Sequence, residues 1–187
     1  MDENDVDLSS SISKRRLETL FDGIFAIAMT ILVLELKVPD LADSYSVAEL
    51  ANALAHHVAT FGNYLLTFLM LGLFWYHHNH QYHCYRFISK GMFALHLVQL
   101  VAAAFFPFCT ALLGCYPVNR FSALLYVSCV MVYISASLAT WLLAKKSGAF
   151  DVSTGSTRYL LLRRKLLIGV VLISTTFALQ MLSILPA

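Results

Sequence analysis

Charge is what this sequence has least of. Only 13% of its 187 residues are Asp, Glu, Lys or Arg, about half the share found in soluble domains. The scarcity is also uneven: Phe121–Leu143 and Leu166–Ala187 contain no charged residue at all. Uncharged apolar runs longer than about 18 residues are membrane-helix candidates, so the chain reads as an integral membrane protein with little room for a soluble domain. Period-two alternation is missing, which excludes transmembrane strands. The four cysteines, Cys84, Cys109, Cys115 and Cys129, contain no CxxC pair and read as small buried hydrophobes rather than a disulfide framework. No nucleophile motif, phosphate-binding loop or paired-carboxylate constellation is present, so no enzyme, no cofactor and no nucleic-acid partner is expected. Residues 1–15 are acidic and Ser-rich rather than basic then apolar. They read as a short disordered tail, not a cleavable signal peptide. Residues 16–187 form the membrane domain.

What is there is a set of apolar runs. The fold class expected is all-α, a polytopic transmembrane helical bundle with five spans. These lie at about Leu20–Val38, Val58–Tyr76 (extended backwards through Ala48–His57 in one version), Phe87–Leu113, Phe121–Leu143 and Leu166–Leu185. Pro107 marks a kink or an end in the third. Eleven of the thirteen basic residues fall before the first span, between the second and third, or between the fourth and fifth; Lys37 and Arg120 alone fall on the other side. The positive-inside rule then places the N-terminus in the cytoplasm and, with five spans, the C-terminus outside. The chain ends at Ile184-Leu185-Pro186-Ala187, directly after an apolar run, so a sixth helix is expected either to be missing from this sequence or to be lacking in the protein.

The first span, Arg16–Val38, organises the rest. Ile27, Ile31 and Leu34 are spaced four and three apart and share one helical face. Thr30 lies beside that stripe, and Leu20 and Gly23 continue it. Phe25, Met29, Leu32 and Leu36 point elsewhere. Every helix of a bundle has such stripes, and periodicity alone leaves lipid, protein and a dewetting pore ring open as what this one faces. Arg16 and Asp22, six residues apart, do not face each other on one helix, so each needs a partner on another segment. Asp22 reads as a helix cap or an interhelical hydrogen-bond acceptor ahead of a proton relay or ion ligand.

Arg16-Leu-Glu-Thr-Leu20-Phe21-Asp22-Gly23, followed by the run IFAIAMTILVLEL, resembles the bacterial branch of the transmembrane protein 175 potassium channels. Their first helix carries an Arg-x-x-x-Phe-Ser-Asp signature. Arg16 and Asp22 match it, while Leu20 stands for the Phe and Phe21 for the Ser, so the Ser hydroxyl is absent. Tyr64–His78 resembles the end of the family's second helix, and Phe106–Gly114 resembles its Pro-Phe-Pro-Thr segment, with Cys109 in place of the second Pro. The resemblance implies a homotetramer in the lipid bilayer, built from six-helix bacterial subunits, with the first helices lining a potassium pore. It implies that Ile27, Ile31 and Leu34 face the pore, Ile27 at the constriction, with Thr30 close by. It further implies that Arg16, Asp22, Trp75 and His78 form a polar cluster packing the helices near the cytoplasm. The sequence contains no Thr-Val-Gly-Tyr-Gly loop, so selectivity would arise where a potassium ion sheds water at the apolar ring. The expected setting is a bacterial plasma membrane.

The histidine-rich loop His77-His78-Asn79-His80-Gln81-Tyr82-His83-Cys84 is the rival signal. On a helix, His77, His80 and Cys84 share one face, as do His80, His83 and Cys84; imidazole and thiolate bind zinc, copper or nickel. A His-dependent divalent-metal transporter is the alternative function. The spacing matches no closed four-ligand motif, and only His96 and Gln99 in the third span approach an intramembrane polar path, so the expected assignment is no metal.

Overall fold

A computed structural model of the chain describes residues 14–39 and 46–150. It contains five helices: α1 (Lys14–Leu34), α2 (Val47–His56), α3 (Val58–His83), α4 (Lys90–Cys115) and α5 (Arg120–Lys146). Of these, α1, α3, α4 and α5 are long and apolar enough to cross a membrane. The acidic tail before Lys14 and the expected span Leu166–Leu185 lie outside the described residues. Among the described residues the one β feature is an isolated antiparallel bridge between Tyr85 and Phe150.

Local chemistry sets most helix ends. Past Leu34, α1 tightens into bonds from the Glu35 and Leu36 amides to the Leu32 and Val33 carbonyls, a 3₁₀-type closure, and Pro39 cannot extend a helix. Ser46 caps α2, its hydroxyl accepting from the Glu49 amide at 3.2 Å, in the Ser-x-x-Glu pattern of a capping box. Ser89 caps α4 through the Met92 amide at 3.3 Å. Asn119 caps α5 through the Phe121 amide at 2.8 Å.

Two expectations are corrected and two open alternatives are decided. The first helix is already formed at Lys14, not first near Leu20, so Lys14 and Arg15 are helical rather than part of the tail, and Asp22, interior to the helix, serves as an interhelical acceptor and not as a cap. Residues 47–56 are a separate short helix, divided from α3 by a break at His57. Pro107 does not end α4, which runs on to Cys115; the bond it forfeits is one of many in a helix held by packing on both sides. The histidine-rich segment is not a loop: through His83 it forms the last turns of α3. At 26 residues, α3 is about 39 Å long, more than a bilayer's hydrocarbon core.

The core lies where α4 and α5 pack antiparallel, with α1 laid across α4 and α3. The two packed helices approach so closely at Gly91 that a Cβ there would sit 2.8 Å from Leu143 Cδ2. Phe74 stacks on Tyr133 at 4.2 Å between centroids, and Phe25 meets the same tyrosine edge-on at 6.1 Å. Polar side chains bridge helices in the apolar interior. Thr110 donates to Thr67 at 3.0 Å, and Thr67 pairs with the Tyr126 hydroxyl at 3.0 Å. Ser137 donates to Gln81 Oε1 at 3.1 Å, and Gln99 Nε2 to Thr140 Oγ1 at 3.1 Å. Such bonds hold membrane helices together where no hydrophobic force does.

Candidate functional site

Two faces of α1 have opposite fates. Leu17, Phe21, Phe25, Ala28 and Leu32, spaced four, four, three and four, are buried within the chain's own core. The other face is left outside it: Leu20 is 45% exposed, Ile27 59%, Ile31 39% and Leu34 75%, with Gly23 and Thr30 exposed between them. The Thr30 hydroxyl bonds back to the carbonyls of Ala26 and Ile27 at 3.0 and 2.8 Å, so its proton is used within its own helix. Among the described residues, an uninterrupted apolar stripe is thus left uncovered along a helix whose opposite side is packed.

The expected polar cluster is divided. Trp75 Nε1 donates to Asp22 Oδ1 at 2.8 Å, tying α1 to α3 by a charge-assisted bond. His78, one turn further along α3, is buried and meets α1 through Phe21: the rings stack at 3.4 Å with 7° between planes. Arg16 joins neither contact; it is exposed on α1, without a hydrogen bond or ion pair to any described residue.

Around Phe21 lies a grouping that the sequence did not foretell, although it had singled out His78 and His96 separately. His96 of α4, wholly buried, meets Phe21 edge-on at 5.4 Å and His78 at 5.2 Å, and Tyr82 lies 5.2 Å from His78 and 5.5 Å from His96. Among the described residues, His78 Nε2 and both ring nitrogens of His96 have no hydrogen-bond partner, so ring packing holds these imidazoles. The buried spacing of Phe21 on α1 was a usable signal; the meeting with His96 depends on how α4 crosses α1.

A second unforeseen feature anchors the start of α1. Lys14 Nζ donates to the Tyr85 carbonyl at 2.7 Å, and the Tyr82 hydroxyl donates to the Lys14 carbonyl at 3.0 Å. Tyr85 in turn pairs with Phe150, and the Arg86 amide donates to the Ala149 carbonyl at 2.7 Å. The start of α1, the α3–α4 connection and the end of α5 are therefore joined at one end of the bundle. That end carries Lys14, Arg15, Arg16, Arg86, Lys90, Lys145 and Lys146.

The candidate metal ligands are spread around α3. His77 is buried, His80 and His83 are exposed, and Cys84 is buried with its thiol donating to the His80 carbonyl at 3.4 Å. No group of three His, Cys, Asp or Glu side chains able to hold a metal ion forms among the described residues.

Comparison with known proteins sets this geometry beside relatives. The family described as endosomal/lysosomal potassium channel TMEM175 matches residues 16–107. A protein of Streptomyces collinus named as a potassium channel is 31% identical over 142 residues, 73% of this chain and 67% of the relative. Another protein named as a potassium channel, from Chamaesiphon minutus, is 28% identical over 77% of this chain and 76% of its own length. The chicken protein named endosomal/lysosomal proton channel TMEM175 is 28% identical over 103 residues, 20% of its length. The crystal structure of a lysosomal potassium-selective channel TMEM175 homolog from Chamaesiphon minutus superposes with a TM-score of 0.65 at 26% identity, covering 90% of this chain and 97% of that one.

Proposed function

This chain belongs to the TMEM175 family and is an integral membrane protein, and on that premise we propose that it is a potassium-preferring cation channel in which four copies assemble around α1. The observation that carries the reading is the uncovered stripe Leu20–Gly23–Ile27–Ile31–Leu34 on a helix whose other face is fully packed. A face that no other described residue covers is available to lipid or to other copies, and a central pore gives the second role a purpose. The bacterial relatives of longest coverage are named potassium channels, which favours potassium as the permeant ion.

In this assembly Ile27 forms the narrowest apolar ring, with Ile31 and Leu34 above it and Thr30 beside it. An ion crossing such a ring must release part of its water without receiving carbonyl ligands in return. Potassium holds its water less tightly than sodium, so the same ring passes potassium more readily. A narrow apolar ring also empties of water when it contracts, which closes the path without a moving plug. The Asp22–Trp75 bond and the Phe21–His78 stack hold α1 against α3, so the stripe keeps its register towards the axis. The basic end of the bundle faces the cytoplasm of a bacterial plasma membrane, a reading that the asymmetry of Lys and Arg supports.

Ion flux into liposomes containing the purified full chain tests this, with potassium, sodium and zinc measured in parallel. Potassium flux above sodium, altered by substitution at Ile27, is the expected result. Zinc flux without potassium flux transfers the function to His77, His80, His83 and Cys84. Absence of flux for all three ions overturns the channel reading.

A further inference from the structure

The face of α1 that carries the apolar stripe does not begin with an apolar residue. Arg16, Leu20, Gly23, Ile27, Ile31 and Leu34 follow one another at spacings of four, three, four, four and three, so they fall on one line along the helix. Arg16 lies about three turns, roughly 16 Å, from Ile27. It is exposed, and no described residue bonds to it. Its neighbours differ. Lys14 is drawn into the bundle by the Tyr85 carbonyl at 2.7 Å, and Arg15 is displaced by about 100° around the helix. No carboxylate of α1 shares the line: Glu18 lies on the opposite side, half-buried, and Asp22 is taken by Trp75.

We infer that Arg16 forms a ring of positive charge at the cytoplasmic mouth of the pore and makes conduction asymmetric, with cations entering more slowly from that mouth than from the other. The inference rests on the tetrameric channel reading. Cation channels commonly carry acidic rings at their mouths; here the residue in line with the apolar stripe is basic, and no described carboxylate pairs with it. Four unit charges about 10 Å from an ion on the axis, in water and screened over a Debye length of about 10 Å at 0.1 M salt, deplete cations at the mouth about threefold. At 1 M salt the screening length is about 3 Å and the depletion vanishes. A residue that only anchors the helix would produce neither the asymmetry nor its dependence on salt.

Single-channel recordings of the full-length protein in planar bilayers test it, in symmetric potassium chloride at about 0.1 M and about 1 M. The expected wild-type current at low salt is about threefold smaller for ions entering at the cytoplasmic mouth, and nearly symmetric at high salt. Arg16→Gln removes the low-salt asymmetry and Arg16→Lys keeps it, both checked as tetramers by size-exclusion chromatography. Asymmetry that persists in an assembled Arg16→Gln channel overturns the inference, as does loss of asymmetry in Arg16→Lys. If Arg16→Gln does not assemble, the wild type decides: asymmetry unchanged between low and high salt overturns the inference, and asymmetry that fades with salt supports it. Wild-type protein without potassium current overturns the channel reading itself, a different result from a symmetric current.

Discussion

Replacing Ile27 with Ser removes most of the apolar surface at the proposed constriction and adds a hydroxyl that holds water. If this lowers the crossing barrier by about 1.4 kcal/mol, flux rises about tenfold, and sodium gains more than potassium because it loses more on dehydration. Liposome flux with both ions measures this, and unchanged flux removes Ile27 from the gate. Asp22 illustrates the opposite kind of residue. Its carboxylate accepts from Trp75 Nε1 at 2.8 Å across two helices, so Asp22→Ala removes that interhelical bond at a cost of about 1 kcal/mol. Tetramer yield and thermal stability fall, while the potassium preference of the tetramers that form is unchanged; Asp22→Asn keeps an acceptor and restores most of the yield. Phe21 stands where the family signature carries Ser, and the structure shows what fills the place: a ring stacked on His78 at 3.4 Å and wholly buried. Phe21→Ala leaves a hole there and costs about 3 kcal/mol, read as a lower melting temperature of the detergent-solubilised protein. Asp22's need for a partner on another segment was legible from its six-residue distance to Arg16 and its place beside an apolar run. Trp75 as that partner came from the family resemblance, whereas His96 beside His78 could not be read, because no spacing within α3 or α4 encodes which turns meet.

The helices themselves divide by how locally they are determined. The charge-free run 121–143 lies within α5, and Ser46, Ser89 and Asn119 start their helices as cap chemistry requires. Where expectation and structure part, the cause is tertiary. The α1 helix extends back to Lys14 because Tyr85 and Tyr82 bind its first residue from across the bundle, contacts that hydropathy does not contain. Likewise α3 stays helical through its histidines because His77, His78, Gln81 and Tyr82 are buried there against neighbouring helices, whereas a polar string alone reads as a loop. At the α4–α5 contact the sensitive point is Gly91, where a Cβ would approach Leu143 Cδ2 to 2.8 Å. Because that atom is the tip of a side chain, Gly91→Ala is mild, whereas Gly91→Val pushes the helices apart and costs about 2 kcal/mol. Adding Leu143→Ala relieves part of that loss, and a double-mutant cycle on thermal stability measures the coupling.

At the scale of the whole molecule, the proposal is that the exposed stripe of α1 finds its partners in other copies. A cysteine at position 30, in a background with Cys84, Cys109, Cys115 and Cys129 replaced, tests this by cross-linking: chains joined in pairs are expected if the stripe surrounds an axis, and no cross-linked species if it faces lipid. The sequence by itself determined that the chain is helical, that it lives in a membrane and where its basic residues gather, because a bilayer acts on every residue separately through length, apolarity and charge. It also showed, through spacing alone, that Ile27, Ile31 and Leu34 share a face. Which of the two apolar faces of α1 is used up inside the chain was decided by tertiary structure. Both faces are apolar at helical spacing, and the choice depends on shape: Phe21 and Phe25 fit against His78 and Tyr133, and the aliphatic line from Leu20 to Leu34 is what that packing leaves outside.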